Sequence, residues 1–322
     1  MPPHTHSHAD HEHGHGHHDH SDHHGHNHAH SAPTSFNTAF AFAVVLNLAF
    51  VLIEASYALM AHSMSLLADA GHNFGDVLGL SLAWGANLLL ARGATARYSY
   101  GFKRTTIIAA LINALILVGA TAIIAYESIL KLIHPVIVDE KIVIIVAAIG
   151  ILINGGTALL FMRGRKDDLN IKAAFIHLAY DALIAFGVVV AGVIILFTHA
   201  LWIDPLVGLL IVIAIIVGTW SLLLDSVNLI LDAVPKSVDH QGVKNYLAKI
   251  EGVTTVHDLH IWGLSTNEIA LTAHLVMPTR ELHDADFQVI NHHLKYQFKI
   301  NHVTIQVEKG TTEDPCGQVQ TC

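Results

Sequence analysis

"LLADAGHNFGDVLGLSLAWGANLLL", Leu66 to Leu90, is apolar and long enough to cross a bilayer, yet its first half carries Asp69, His72 and Asp76. An ionisable side chain at membrane depth costs ~2.5–3.5 kcal/mol on insertion scales, so such a group is read as functional by default. His72 and Asp76 are four residues apart, which on a helix puts them on one face, one turn from each other. An imidazole and a carboxylate stacked in this way supply half of a four-ligand metal site.

A second apolar stretch, "NIKAAFIHLAYDALIAFGVVVAGVIILF" over residues 170–197, repeats the spacing with His177 and Asp181. Two imidazole nitrogens and two carboxylate oxygens make a tetrahedral set that suits Zn²⁺. The same ligands also accept Co²⁺, Ni²⁺, Cd²⁺ or Mn²⁺. The competing reading is that each pair is a satisfied interhelical contact. Two identical pairs, with no histidine inside any other span, favour the metal. Asp69, three before His72, is read as a cap of its helix or as a group that orients His72. Glu54, Asn113, Glu127 and Asn154 are read as interhelical hydrogen-bonding groups.

Composition agrees with a membrane protein. Of 322 residues, 52% are hydrophobic and 13% charged, against about 25% charged in soluble domains. Mean hydropathy is +0.49. The formal charge of −9 leaves out 27 histidines, and the basic residues form no cluster, which argues against a nucleic-acid partner. Cys316 and Cys322 both fall in the last seven residues, so no disulfide framework is implied. The N-terminus has no basic n-region, which argues against a cleaved signal peptide.

Apolar runs over residues 36–60, 65–90, 105–130, 142–162, 172–198 and 203–224 predict six spanning helices within a membrane domain of residues 35–225. The second connection holds Arg92, Arg97, Lys103 and Arg104, and the fourth holds Arg163, Arg165, Lys166 and Lys172. The third has only Lys131 and Lys141, and the first and fifth have none. The positive-inside rule therefore places connections two and four, and with them both termini, in the cytoplasm.

Residues 1–34 are low in complexity, with fourteen histidines among Gly, Asp, Ser and Asn, and read as a disordered, metal-binding cytoplasmic arm. Its "HEHGH", His11 to His15, matches a zinc-protease pattern that works only on a helix, so it carries no weight in a Gly-rich tract. Residues 226–310 change character. One amphipathic helix with Val243, Leu247 and Ile250 on a face, a hairpin of "TTVHDLHIWGL" and "EIALTAHLVMP", a second helix and the strand "NHVTIQVEKG" give the order αββαβ. That order suits a small ferredoxin- or metallochaperone-like α+β domain. Residues 311–322 form a tail that contains the two cysteines.

The stretches "SMSLLADAGHNFGDVLGLSLAWGA", "YGFKR", "HLAYDA" and "VHDLHIWGL" resemble the cation diffusion facilitator family of zinc transporters, in its bacterial zinc, cobalt and cadmium efflux type. The likeness covers about residues 36–310. It implies a homodimeric Zn²⁺/H⁺ antiporter of the bacterial inner membrane, with His72, Asp76, His177 and Asp181 as its transport site. A histidine at the first position leans toward zinc, and broader Co²⁺, Cd²⁺ or Ni²⁺ efflux stays open. The resemblance also implies zinc in the soluble domain, at His257 and His274, with Glu308 or His302 as a third ligand. Cys316 and Cys322 resemble a paired-cysteine tail that joins this site in some members, though they are spaced more widely than CxxC. The loop "ATARYSYGFKR" has neither Asp nor His, so no loop metal site is expected, and the histidine-rich segment stands at the N-terminus instead of between spans four and five.

In the antiporter reading, protons and metal compete for the imidazoles, whose ordinary pKa lies near 6.5, and the competition couples export to a proton gradient. A metal-gated channel or a membrane-anchored metal sensor is the alternative. A channel wants a polar pore lining that spans one, three, four and six lack, and a sensor needs one anchor and not six. Enzymatic activity is not expected, because four protein ligands leave no open position for a substrate.

Overall fold

The computed structural model describes residues 38–162 and 169–310. The histidine-rich arm and the tail with Cys316 and Cys322 lie outside the described residues. Six long helices come first: α1 (Thr38–Met60), α2 (Met64–Leu90), α3 (Thr105–Ile133), α4 (Glu140–Phe161), α5 (Leu169–Thr198) and α6 (Ile203–Ile230). Among the described residues, four stretches are long and apolar enough to cross a membrane: Thr105–Ile133, Glu140–Leu159, Phe175–Thr198 and Ile203–Ile230. α1 offers the shorter apolar stretch Asn47–Met60. α2 is diluted by Asp69, His72, Asn73 and Asp76, the residues that make it of interest.

The helix ends follow capping chemistry. Ser63 caps α2 by accepting from the Leu66 amide at 3.2 Å, and Asp139 caps α4 by accepting from Ile142 at 3.2 Å. The turn between α1 and α2 is fastened to the start of α6. Buried Asp204 accepts from the Ser63 and Ser65 hydroxyls, each at 2.6 Å, and from the Met64 amide at 2.6 Å. Gly208, one turn on, lets α6 lie directly against that backbone, since a Cβ there would come 2.9 Å from the Met64 carbonyl carbon. Neighbouring helices run α1 on α2, α2 on α3 and α6, α3 on α6, and α4 on α5. Ala58, Leu66, Val146, Val188 and Val212 are among the buried residues of the shared core.

α6 continues to Ile230, beyond the apolar run that predicted an end at 224. Asp225 and Asn228 end the apolar pattern, but a helix outside a bilayer core tolerates polar residues, so periodicity underestimates its length.

The C-terminal unit is α7 (His240–Ala248), β1 (Thr255–Gly263), β2 (Ile269–Val276), α8 (Asp284–Phe298) and β3 (His302–Glu308). The sheet order is β1-β2-β3, with β1 and β2 antiparallel and β2 and β3 parallel. β2 is central and nearly all buried. Its Leu271 and Leu275 share a core with Val243 and Leu247 of α7 and Ile290 and Leu294 of α8. The hairpin turn is set by Ser265, whose hydroxyl accepts from the Asn267 and Glu268 amides at 3.2 and 2.9 Å.

Candidate metal centre

α2 and α5 bring the two His/Asp pairs into one interlocked cluster. His72 Nε2 lies 3.2 Å from Asp181 Oδ1 and 3.9 Å from Asp76 Oδ2. His177 Nε2 lies 3.3 Å from Asp76 Oδ2 and 3.4 Å from Asp181 Oδ2. Each imidazole therefore touches the carboxylate of its own helix and that of the other. The rings meet edge to face, 6.1 Å apart. The four-residue spacing aligns each pair along its helix, and the contact between α2 and α5 turns the two faces toward each other.

The cluster has an open and a closed side. Asp181 is 4% exposed at its side chain, whereas Asp76 is 26% exposed. In this arrangement the ring nitrogens stand at 3.2 to 3.9 Å from the carboxylate oxygens, close enough for protons to lie between the nearer of them. The same atoms would bind a divalent cation, so metal and protons cannot occupy the cluster together.

Asp69 neither caps α2, a place taken by Ser63, nor orients His72: both of its carboxylate oxygens are buried without a hydrogen-bond partner. Glu54 is also fully buried, and its Oε2 accepts from Asn73 Nδ2 at 3.1 Å.

A second cluster lies on the sheet. His257 and His274 are directly paired across β1 and β2, with rings 5.1 Å apart, and Glu308 at the end of β3 joins both. Its Oε2 lies 3.0 Å from His257 Nε2, and its Oε1 lies 2.9 Å from His274 Nδ1. Of the two candidates for a third ligand, the structure brings Glu308 and not His302 to this place. Parallel pairing sets Val276 against Glu308 and Ala270 against His302, so His302 stands at the far end of β3. There its ring meets Tyr100 edge-on at 5.5 Å.

Sequence reasoning missed Asp258. Strand alternation would send it to the face opposite His257, but β1 carries a bulge between His257 and His260, and Asp258 takes a φ of 51°. The bulge re-aims its carboxylate, which reaches His274 Nε2 at 3.3 Å and His260 Nε2 at 2.8 Å. A bulge leaves no mark in apolar periodicity, so only the adjacency to His257 hinted at it.

Both parts of the chain match known families. A model described as the cation efflux transmembrane domain covers residues 40–231, and one described as the cation efflux protein cytoplasmic domain covers residues 235–310. The metal cation efflux system protein CzcD of Cupriavidus metallidurans is 33% identical over 277 residues, 86% of each chain. The zinc transporter ZitB of Escherichia coli is 33% identical over 279 residues, 86% of this chain and 88% of that one. The cadmium, cobalt and zinc/H(+)-K(+) antiporter of Bacillus subtilis is 31% identical over 264 residues, 80% and 85% of the two chains. With a helical membrane domain followed by a small-sheet cytoplasmic domain, and with metal efflux proteins as relatives along most of its length, the chain belongs to the cation efflux, or cation diffusion facilitator, family of zinc transporters.

Proposed function

We propose that this protein exports Zn²⁺ from the cytoplasm in exchange for protons, with His72, Asp76, His177 and Asp181 as the transport site. The observation that carries the reading is the interlock itself, in which two imidazoles and two carboxylates from α2 and α5 converge with every Nε2 within 4 Å of both carboxylates. The two carboxylates are balanced by one divalent ion, and equally by the two histidines when both carry a second proton. Exchange of one metal ion for two protons therefore leaves the buried charge unchanged, which a low-dielectric site favours.

All six long helices span the inner membrane in this reading, with both termini and the sheet domain in the cytoplasm, as the excess of Lys and Arg in the second and fourth connections demands. Facing a neutral cytosol, the imidazoles lose their protons and take zinc. Facing a more acidic exterior, they take protons and release it. Alternating access keeps the site in place while the helices rock about it. The function is transport and not catalysis, since four protein ligands fill a tetrahedral ion. The chain acts as a homodimer, and His257, His274 and Glu308 hold a regulatory zinc in the cytoplasmic domain. The names of the relatives support zinc over other divalent ions without excluding Co²⁺ or Cd²⁺.

The test is uptake of Zn²⁺ into inside-out vesicles with and without an imposed pH difference. Uptake driven by an acidic lumen is expected. Zinc flux that equilibrates and ignores the gradient would mean a channel.

A further inference from the structure

Besides Asp204, which Ser63, Met64 and Ser65 satisfy, two buried carboxylates among the described residues of the membrane domain have no role in the metal cluster. Glu54 is 0% exposed and Asp69 is 1% exposed. Glu54 Oε1 and both Asp69 oxygens have no hydrogen-bond partner, and Glu54 Oε2 has only Asn73. Among the described residues neither carboxylate pairs with a Lys or Arg. An ionised carboxylate in that position would have lost its water and gained nothing in return. Either a cation or a proton must neutralise it.

The surroundings favour the proton. A hard metal ion wants six or so oxygen donors and room for them, whereas this place offers two carboxylates and one amide. A proton needs no cavity, and a protonated carboxyl supplies the missing donor for a neighbouring oxygen. Asp69 lies four residues before Asn73 on the same face of α2, and Glu54 is bonded to Asn73, which brings the two carboxylates together. His72 acts electrostatically on both, and Glu54 and Asp181 of α5 act on Asp69. From α4 the facing residue is Gly150, where an added Cβ would stand 3.9 Å from Glu54 Oε1, so that helix brings no charge. Lys131 of α3 is turned to the His62 carbonyl at 2.9 Å, and Asp204 of α6 is held by Ser63, Ser65 and Met64.

Placement gives the pair a direction. Asp69 is five residues into α2, about 7 Å along the axis, while His72 lies about 12 Å and Asp76 about 18 Å in. Glu54 sits six residues before the end of α1. The pair thus stands between the α1–α2 turn and the metal cluster. Asn73, next to His72 in the chain, ties Glu54 to that level.

We propose that Glu54 and Asp69 form a second, proton-binding site that receives protons from the α1–α2 side and passes them to the histidines as metal leaves. The proposal rests on the antiport reading. In each transfer the carboxyl O–H bond breaks and an N–H bond forms on an imidazole, leaving a carboxylate. A hydronium ion from the more acidic α1–α2 side then restores the O–H bond and leaves as water. No other reactant is needed.

The test uses full-length protein in proteoliposomes, with the isosteric variants Glu54→Gln and Asp69→Asn. Infrared spectra of the wild type at neutral pH should show the carbonyl stretch of protonated carboxyl groups, and each variant should diminish it. Zinc uptake driven by a pH difference should fall about tenfold or more, as for loss of a proton-transfer group. Zinc-for-zinc exchange without a gradient should fall much less. Absence of the carbonyl band in the wild type overturns the proposal whether or not the variants fold. Equal loss of driven uptake and exchange also overturns it, and so does full gradient-driven uptake in both variants. If the wild type itself ignores the gradient, the antiport reading fails with it; if only the variants behave like wild type, this inference fails alone.

Discussion

Because each imidazole of the proposed transport cluster touches both carboxylates, removing any one ligand takes one of two partners from each of two others. Groups that act as one unit show strongly non-additive losses. Alanine at His72, Asp76, His177 or Asp181 should therefore abolish zinc uptake into vesicles while the protein still inserts, and double variants should be scarcely worse than single ones. Retained transport in Asp181→Ala would rule out this assignment. Selectivity belongs to the same scale. An imidazole is a neutral, borderline-soft ligand, and a carboxylate is hard, anionic and tolerant of larger coordination numbers. His72→Asp keeps a ligand on the same helix face and adds a negative charge. It should raise the ratio of Cd²⁺ or Mn²⁺ to Zn²⁺ transport, measured by competition in vesicles. A uniform loss for every metal would show that His72 does not touch the ion.

At the scale of elements, the fastening of α2 to α6 depends on one carboxylate. Asp204→Ala would leave the Ser63 and Ser65 hydroxyls and the Met64 amide without their buried acceptor, at ~1–3 kcal/mol for each group that finds no other. A clear fall in the thermal midpoint of the detergent-solubilised protein is expected, and Asp204→Asn should recover part of it. In the cytoplasmic domain, the His283 amide and then Arg280, each 2.9 Å away, hold the Asp286 carboxyl below its usual range. A depressed folded value stabilises the domain above the unfolded pKa of about 3.9, and that contribution disappears as pH falls through the folded value. Asp286→Asn should thus unfold earlier than wild type at neutral pH, and the two should converge in acid. These elements also mark what the sequence could reveal. The His/Asp pairs were legible because helix periodicity is fixed, so a spacing of four specifies a face. Which of Glu308 and His302 joins the two sheet histidines was not, since that depends on a parallel register between β2 and β3 that no local pattern encodes. Asp258 was hidden by a bulge, and the part of Asp204 lies in a contact between residues 63–65 and 204, far apart in the chain.

At the scale of the molecule, the cytoplasmic domain grips the basic connection between α2 and α3. Lys103 pairs with Glu268 of the hairpin turn, and Arg104 pairs at 2.6 Å with Asp232, which stands just past the end of α6 on the way into that domain. The Thr266 amide donates to Thr106 Oγ1 at 3.1 Å, and Tyr100 meets His302 at the start of β3. The strand that bears Glu308 therefore begins against the loop that joins two transport helices. Metal held by His257, His274 and Glu308 would act along a continuous strand onto that loop. The ion pairs are partly exposed, and such pairs contribute ~0–1 kcal/mol each, so their loss should hardly change stability. The double variant Lys103→Gln, Arg104→Gln should keep its thermal midpoint close to wild type. It should also keep zinc binding at the sheet cluster, and the dependence of transport rate on cytoplasmic zinc should flatten to that of His274→Ala. Measuring initial uptake rates against zinc concentration for the wild type and the two variants decides the matter. A response in the double variant that matches wild type would show that the loop does not carry the signal.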